Sequence, residues 1–254
     1  GHRPGATPAS RLLLSSKPAG MQPAVPHFVT GEFTSHRKFL ADKEYGDALD
    51  SIVKGCTDML ILSPDGAKVL LGKRRVHPQP DWWFVGGRMM PGDTPTSSCA
   101  RLLRRELGLE VQPNRLSFVC SASLAWAMRE QAPQTNGTTD VQLVLSMRAT
   151  EEEMASIKLD EKEYSASQWV TPQEVLEGEY HPALKHACSA LLIGRVMEKV
   201  ESVAGAPASP DTDARLAQLA RELVALRAPP PVGTSSYRVR CPELSYEGEV
   251  AVAL

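Results

Sequence analysis

Residues 86–109 read GGRMMPGDTPTSSCARLLRRELGL, and the fold of the chain turns on them. Thr94 precedes Pro95, which is the order of an N-cap hydroxyl followed by a proline at the first helical position. The run from there to Leu107 is expected to be helical, with Gly108 as its stop. Upstream, GCTDMLILS, SPDGAK and VLLGKR (55–74) read as two strands around a turn. WWFV (82–85) reads as a further short strand closed by Gly86-Gly87.

Downstream, RLSFVCSASLAW (115–126) and TDVQLVLSMRA (139–149) read as strands separated by a polar loop, and Ser167–Val170 as a last short one. Thr171-Pro172-Gln173-Glu174 has the form of a capping box opening a short helix. A longer helix is expected from Pro182 to Val200. Short strands that include hairpins, interleaved with helices, point to an α+β fold, a mixed β-sheet sandwiched between α-helices. Residues 32–200 form the expected domain.

The flanks differ in composition. Residues 1–31 carry Arg3, Arg11 and Lys17 with no acidic residue before Glu32. That is the composition of a disordered leader or of an organellar transit segment. Residues 201–254 read as a linker, an amphipathic leucine helix over 211–227 and a flexible tail. Leu216, Leu219, Leu223 and Leu226 make a stripe that either docks on the domain or meets a partner helix or a second copy.

Bulk properties narrow the function classes. The formal net charge is −2, so no global field attracts nucleic acid, and neither nucleic acid nor a membrane is an expected partner. Five scattered cysteines, Cys56, Cys99, Cys120, Cys188 and Cys241, support neither a zinc site nor a disulfide framework. A reducing, cytoplasmic setting is the default, or an organellar one if residues 1–31 are a transit segment.

The stretch 86–109 resembles the Nudix box, a loop–helix–loop of pattern G-x5-E-x7-R-E-U-x-E-E-x-G-U, where U is apolar. Gly87, Arg101, Leu103, Glu106, Gly108 and Leu109 match it without a gap, and Asp93 stands at the first Glu. The later segment WVTPQEV (169–175) is similar to one found in many members. The resemblance implies hydrolysis of a nucleoside diphosphate linked to another moiety, such as a nucleotide sugar. It also implies Mg²⁺, or Mn²⁺ in its place. The family's helix carries three glutamates, of which Leu102 and Arg105 replace two and Glu106 remains. A reduced metal site of Glu106 and the Gly87 carbonyl is therefore expected, since Mg²⁺ takes one or two carboxylates plus phosphates and water. The degenerate box is closest to GDP-mannose mannosyl hydrolases, with Gly72-Lys73-Arg74, Pro78 and Trp83-Phe84-Val85-Gly86-Gly87-Arg88 ahead of it. Their histidine base has no counterpart near Tyr164, which leaves Glu163 or Glu161 as base or extra metal ligand, or Glu106 itself to activate water.

Beyond those matches, Arg105 is a candidate for taking over part of the metal's role as a phosphate-binding cation. Arg74, Arg75 and Arg88 are expected to bind substrate phosphates, and Trp83 is a candidate to stack on a base. Gly87, Asp93, Arg101 and Gly108 are expected to shape the box. The alternative reading is a catalytically inactive Nudix-fold scaffold or nucleotide- or RNA-binding protein.

Overall fold

The structure, a computed structural model, describes residues 25–227 and the backbone of two-residue strands at 237–238 and 250–251. Residues 1–24, and with them most of the expected leader, lie outside the described residues, as does most of the tail after 227. Among the described residues no helix is long and apolar enough to cross a membrane.

The elements run α1 (Asp42–Leu49), β1 (Lys54–Leu62), β2 (Val69–Arg74), β3 (Trp82–Trp83), β4 (Val85–Arg88), α2 (Pro95–Leu107), β5 (Ser117–Trp126) and β6 (Thr138–Arg148). There follow α3 (Glu151–Ser156), β7 (Tyr164–Val170), α4 (Pro172–Glu177), α5 (Pro182–Ala204) and α6 (Pro210–Leu226). Strands β1 to β7 form one mixed sheet in the order β3-β2-β1-β6-β5, with β4 also on β1 and β7 on β2. Strand β1 is its axis. It pairs in parallel with β6 along its whole length. Its other edge is shared, taken by β4 at Cys56–Met59 and by β2 at Leu62.

Alternation along β1 assigns the two faces. Met59 and Ile61 pack with Leu102, Leu103 and Leu107 of α2, while Leu60 and Leu62 pack with Val175 of α4 and Leu184, Ala187 and Leu191 of α5. Each fully buried leucine contributes roughly 2 kcal/mol of transfer free energy. The first of these layers holds α2 against the sheet. Thr94 caps α2 by accepting from Ser97 N, and Gly108 ends it at φ 70°, a left-handed conformation that favours glycine.

Several elements depart from the sequence reading. The glycine pair does not close a strand. It lies inside β4, where Gly86 and Gly87 pair with Asp58 and Thr57 of β1. Helices α1 and α3 were not anticipated, although Thr150 and Glu153 form a capping box at the start of α3 that the sequence displays. The leucine stripe of α6 is used inside the chain. Leu219 is fully buried, Ser189 of α5 donates to Leu226 O, and Leu216, Leu223 and Leu226 are half-buried.

Candidate functional site

Strand β4 carries the glycine pair over the start of β1, and α2 runs beneath it. A Cβ on Gly86 would collide with the Asp58 carboxylate and the Thr57 carbonyl. Only glycine lets these strands approach so closely. Gly87 faces the other way, where a Cβ would stand 3.5 Å from Arg105 Nη2 and 4.0 Å from Glu106 Oε1.

The box loop is braced by Asp93. Its Oδ2 accepts from Arg101 Nη2 at 2.7 Å and from Met90 N at 2.9 Å, and its Oδ1 accepts from Arg37 Nη2 at 2.8 Å. Arg101 also donates to Arg88 O at 3.1 Å, which ties the end of β4 to the helix. Arg37 was not foreseen, because nothing in the sequence marks residues 35–37 as reaching back to Pro91 and Asp93.

Glu106 is 2% exposed on the buried face of α2. Its Oε1 accepts from Arg105 Nη2 and its Oε2 from the Tyr164 hydroxyl, both at 2.5 Å. Burial pushes the Glu106 carboxyl up, opposed by the Tyr164 hydrogen bond and the Arg105 charge, and burial likewise raises the Tyr164 phenol. Two observations decide whether the metal implied by the box fits here. Both carboxylate oxygens of Glu106 are occupied by protein donors, one of them cationic. No group of three or more His, Cys, Asp or Glu able to hold a metal is found among the described residues. As placed, Glu106 has no free carboxylate oxygen, so a Mg²⁺ ion held by Glu106 and the Gly87 carbonyl would have to displace Arg105. Arg105 puts positive charge where a cation would otherwise sit.

A cleft of about 480 Å³ opens beside the glycine pair. Of the cationic candidates it brings together Arg74, Arg88 and Arg105, and it adds Lys54 and Lys162. The Arg88 guanidinium lies over the Tyr45 ring of α1, 4.5 Å from its centroid, so α1 forms one wall. Arg129, 2% exposed, anchors that wall by donating to both oxygens of Asp50 and to Gly137 O. Glu163 lines the cleft, half-buried, whereas Glu161 is exposed outside it. Arg75 does not join the site. It is exposed and donates to Tyr164 O at 3.3 Å. Trp83 is 4% exposed and packs edge-on against Phe84, Trp126 and His181, so it is a core residue reaching the cleft and not a free stacking platform.

The floor is polar, and it was missed. On the sheet face that carries Leu60 and Leu62 further along, β1 offers Lys54, Cys56 and Asp58, and β6 offers Thr138, Asp140 and Gln142. Parallel register sets Lys54 beside Asp140 and Cys56 beside Gln142. Lys54 Nζ lies 2.8 Å from Asp140 Oδ1, Trp126 Nε1 donates to Asp140 Oδ2 at 2.9 Å, and Gln142 Nε2 donates to Asp58 Oδ2 at 2.7 Å. Burial lifts the Asp58 carboxyl to about 7, against the Gln142 hydrogen bond and the Arg74 charge. The signal available in the sequence was inverted alternation. In β6 the polar Thr138, Asp140 and Gln142 are buried while Val141 between them is 45% exposed.

A family model described as NUDIX domain matches residues 55–190 of the 254. Among solved structures, the chain is similar to a MutT NUDIX hydrolase from Burkholderia pseudomallei at 17% identity, covering 56% of this chain and 99% of that one, with a TM-score of 0.45. It is similar at 16% identity to an E. coli dihydroneopterin triphosphate pyrophosphohydrolase (56% and 99% covered, TM-score 0.42). A C. elegans Ap4A hydrolase in a binary complex gives the same identity and coverages, with a TM-score of 0.40. A comparison with curated proteins returned no match.

Proposed function

The chain belongs to the Nudix family, and on that premise we propose that it hydrolyses a nucleoside diphosphate linked to another moiety, cutting on the carbon side of the diphosphate. The observation that carries this reading is the convergence of Arg74, Arg88 and Arg105 on one cleft beside the glycine pair. Guanidinium groups pair bidentately with phosphate oxygens and keep their charge at any working pH. They hold the diphosphate and stabilise it as a leaving group.

The balance of the step is simple. A water oxygen bonds to the carbon bearing the diphosphate, the C–O bond breaks, and its electron pair departs with the diphosphate. The water's proton passes to Glu163, the half-buried carboxylate of the cleft. Leaving from carbon places the new charge on oxygens that the arginines already hold. It requires no Lewis acid at phosphorus, in keeping with an Arg105–Glu106 pair where a metal-binding pair would be.

The test is turnover of a panel of nucleotide sugars and dinucleotides in ¹⁸O-labelled water, with Mg²⁺ and with a chelator, for the wild type, Glu163→Gln and Arg105→Ala. Label in the released sugar, turnover that survives the chelator, and loss in both variants are expected. Label in a nucleoside monophosphate or in a sugar phosphate, or strict metal dependence, refutes the proposed bond and charge carrier.

A second reading has a specific observation in its favour. Both Glu106 oxygens are committed to Arg105 and Tyr164, an arrangement that suits a binding module without catalysis. Binding of the same compounds with no turnover selects it.

A further inference from the structure

We infer that the polar floor of the cleft is a subsite for the hydroxyl groups of an uncharged sugar ring, the moiety on the far side of the diphosphate. The inference rests on the cleft reading above and names what that reading leaves open.

The cleft divides by charge. Arg74, Arg88, Arg105 and Lys162 are less buried and belong to its rim, while in its floor Asp140 is paired with Lys54 and Asp58 with Gln142, which leaves no unpaired cation there for a phosphate. The floor is also deeply buried. Gln142 is 1% exposed and Asp58 and Asp140 are each 6% exposed. Gln142 Nε2 is turned towards Asp58, which fixes the amide and leaves Gln142 Oε1 with no hydrogen-bond partner. Thr138 Oγ1, 6% exposed on the same face of β6, has none either. A buried acceptor without a donor costs about 1–3 kcal/mol. Two in one row on a cleft floor mark places that a ligand's donors complete.

The chemistry of the row selects the ligand class. Lys54 donates, Asp140 and Gln142 Oε1 accept, and Thr138 does both. Hydroxyl groups, which each donate and accept, satisfy such a mixed row by rotating. The edge of a nucleobase has a fixed pattern and does not. The floor's border is apolar, formed by Leu124 and by Trp126, whose indole is held by its bond to Asp140. That border suits the C–H face of a sugar ring.

The experiment is calorimetric titration of the full chain with GDP, GDP-mannose, GDP-glucose and UDP-glucose, for the wild type, Gln142→Met, Thr138→Val and Arg105→Ala, with Tm recorded for each. The wild type is expected to bind the nucleotide sugars about tenfold tighter than GDP, and Gln142→Met to lower that ratio about tenfold while leaving GDP affinity unchanged. Thr138→Val lowers it less and stands in if Gln142→Met does not fold. GDP binding with an unchanged ratio in both variants overturns the subsite while leaving the cleft reading intact. So does a variant effect that follows the base, differing between GDP-glucose and UDP-glucose. No binding by any compound, or binding indifferent to Arg105→Ala, removes the cleft reading and this inference with it.

Discussion

Asp58 offers a measurement that reports directly on the cleft floor. Its carboxyl is lifted from 3.8 to about 7, chiefly because burial between β1, β4 and β6 strips water from the charged form. Because the folded-state value lies above the unfolded one, the neutral acid stabilises the fold. That stability is fully present below about pH 4 and is lost as pH rises through about 7. A displacement of about three pK units corresponds to roughly 4 kcal/mol. Asp58→Asn keeps the shape and can still accept from Gln142 Nε2, but it removes the titration. Urea unfolding followed by tryptophan fluorescence, from about pH 4 to about pH 8, gives the comparison. Wild-type stability should fall relative to Asp58→Asn by up to roughly 4 kcal/mol across that window. Parallel profiles would refute the reasoning, because they would mean that Asp58 ionises at its ordinary value in a hydrated floor. Saturation with a ligand that fills the floor should shift the wild-type profile and leave that of Asp58→Asn in place.

Three further outcomes follow from contacts elsewhere. Arg129→Ala deletes the buried guanidinium that joins Asp50, Gly137 O and Gln131 O, and by calorimetry it should lower Tm by roughly 5–10 °C. Leu219→Ala should cost about 2–4 kcal/mol in chemical denaturation, because Leu219 is fully buried in the α5–α6 contact. A cost near zero would show that α6 is not docked. Arg105→Glu restores a second carboxylate beside Glu106, so Mg²⁺ should raise the Tm of this variant and leave the wild type unchanged. A wild-type rise of comparable size would contradict the capping of Glu106 by Arg105 and Tyr164.

The fold was legible because its punctuation is local. Thr94-Pro95 before a helical run, Gly108 after it, and Thr171-Pro172 opening α4 each act within one turn of chain, and the structure uses each at the expected position. The glycine pair was misplaced for the opposite reason. Gly86 and Gly87 look like punctuation in isolation. Their role comes from β1, some thirty residues earlier, whose Asp58 leaves no room for a side chain at Gly86. Helix α1 was missed because little in DKEYGDAL commits it to a buried face. It is held through Asp50, just past its end, by Arg129 from a distant loop.

The candidate site divides along the same line. Residues carried by the box could be named from spacing, since a helix fixes which side chains share a face. The sequence could also show that Leu102 and Arg105 replace acidic residues. It could not show what the lone Glu106 would then do, because that depends on Tyr164, brought across by β7 pairing with β2. A carboxylate that has lost its neighbours in a metal site is an isolated buried charge, and such a charge must be neutralised or paired. Here Arg105 supplies the charge and Tyr164 the second donor. The polar floor obeys the same rule from the other side. Lys54 answers Asp140 and Gln142 answers Asp58 across a parallel strand pair separated by some eighty residues of sequence. In β6, read alone, those residues look like the solvent face of an ordinary strand. Only the register with β1 turns them inward, where Thr138 Oγ1 and Gln142 Oε1 are left without a hydrogen-bond partner.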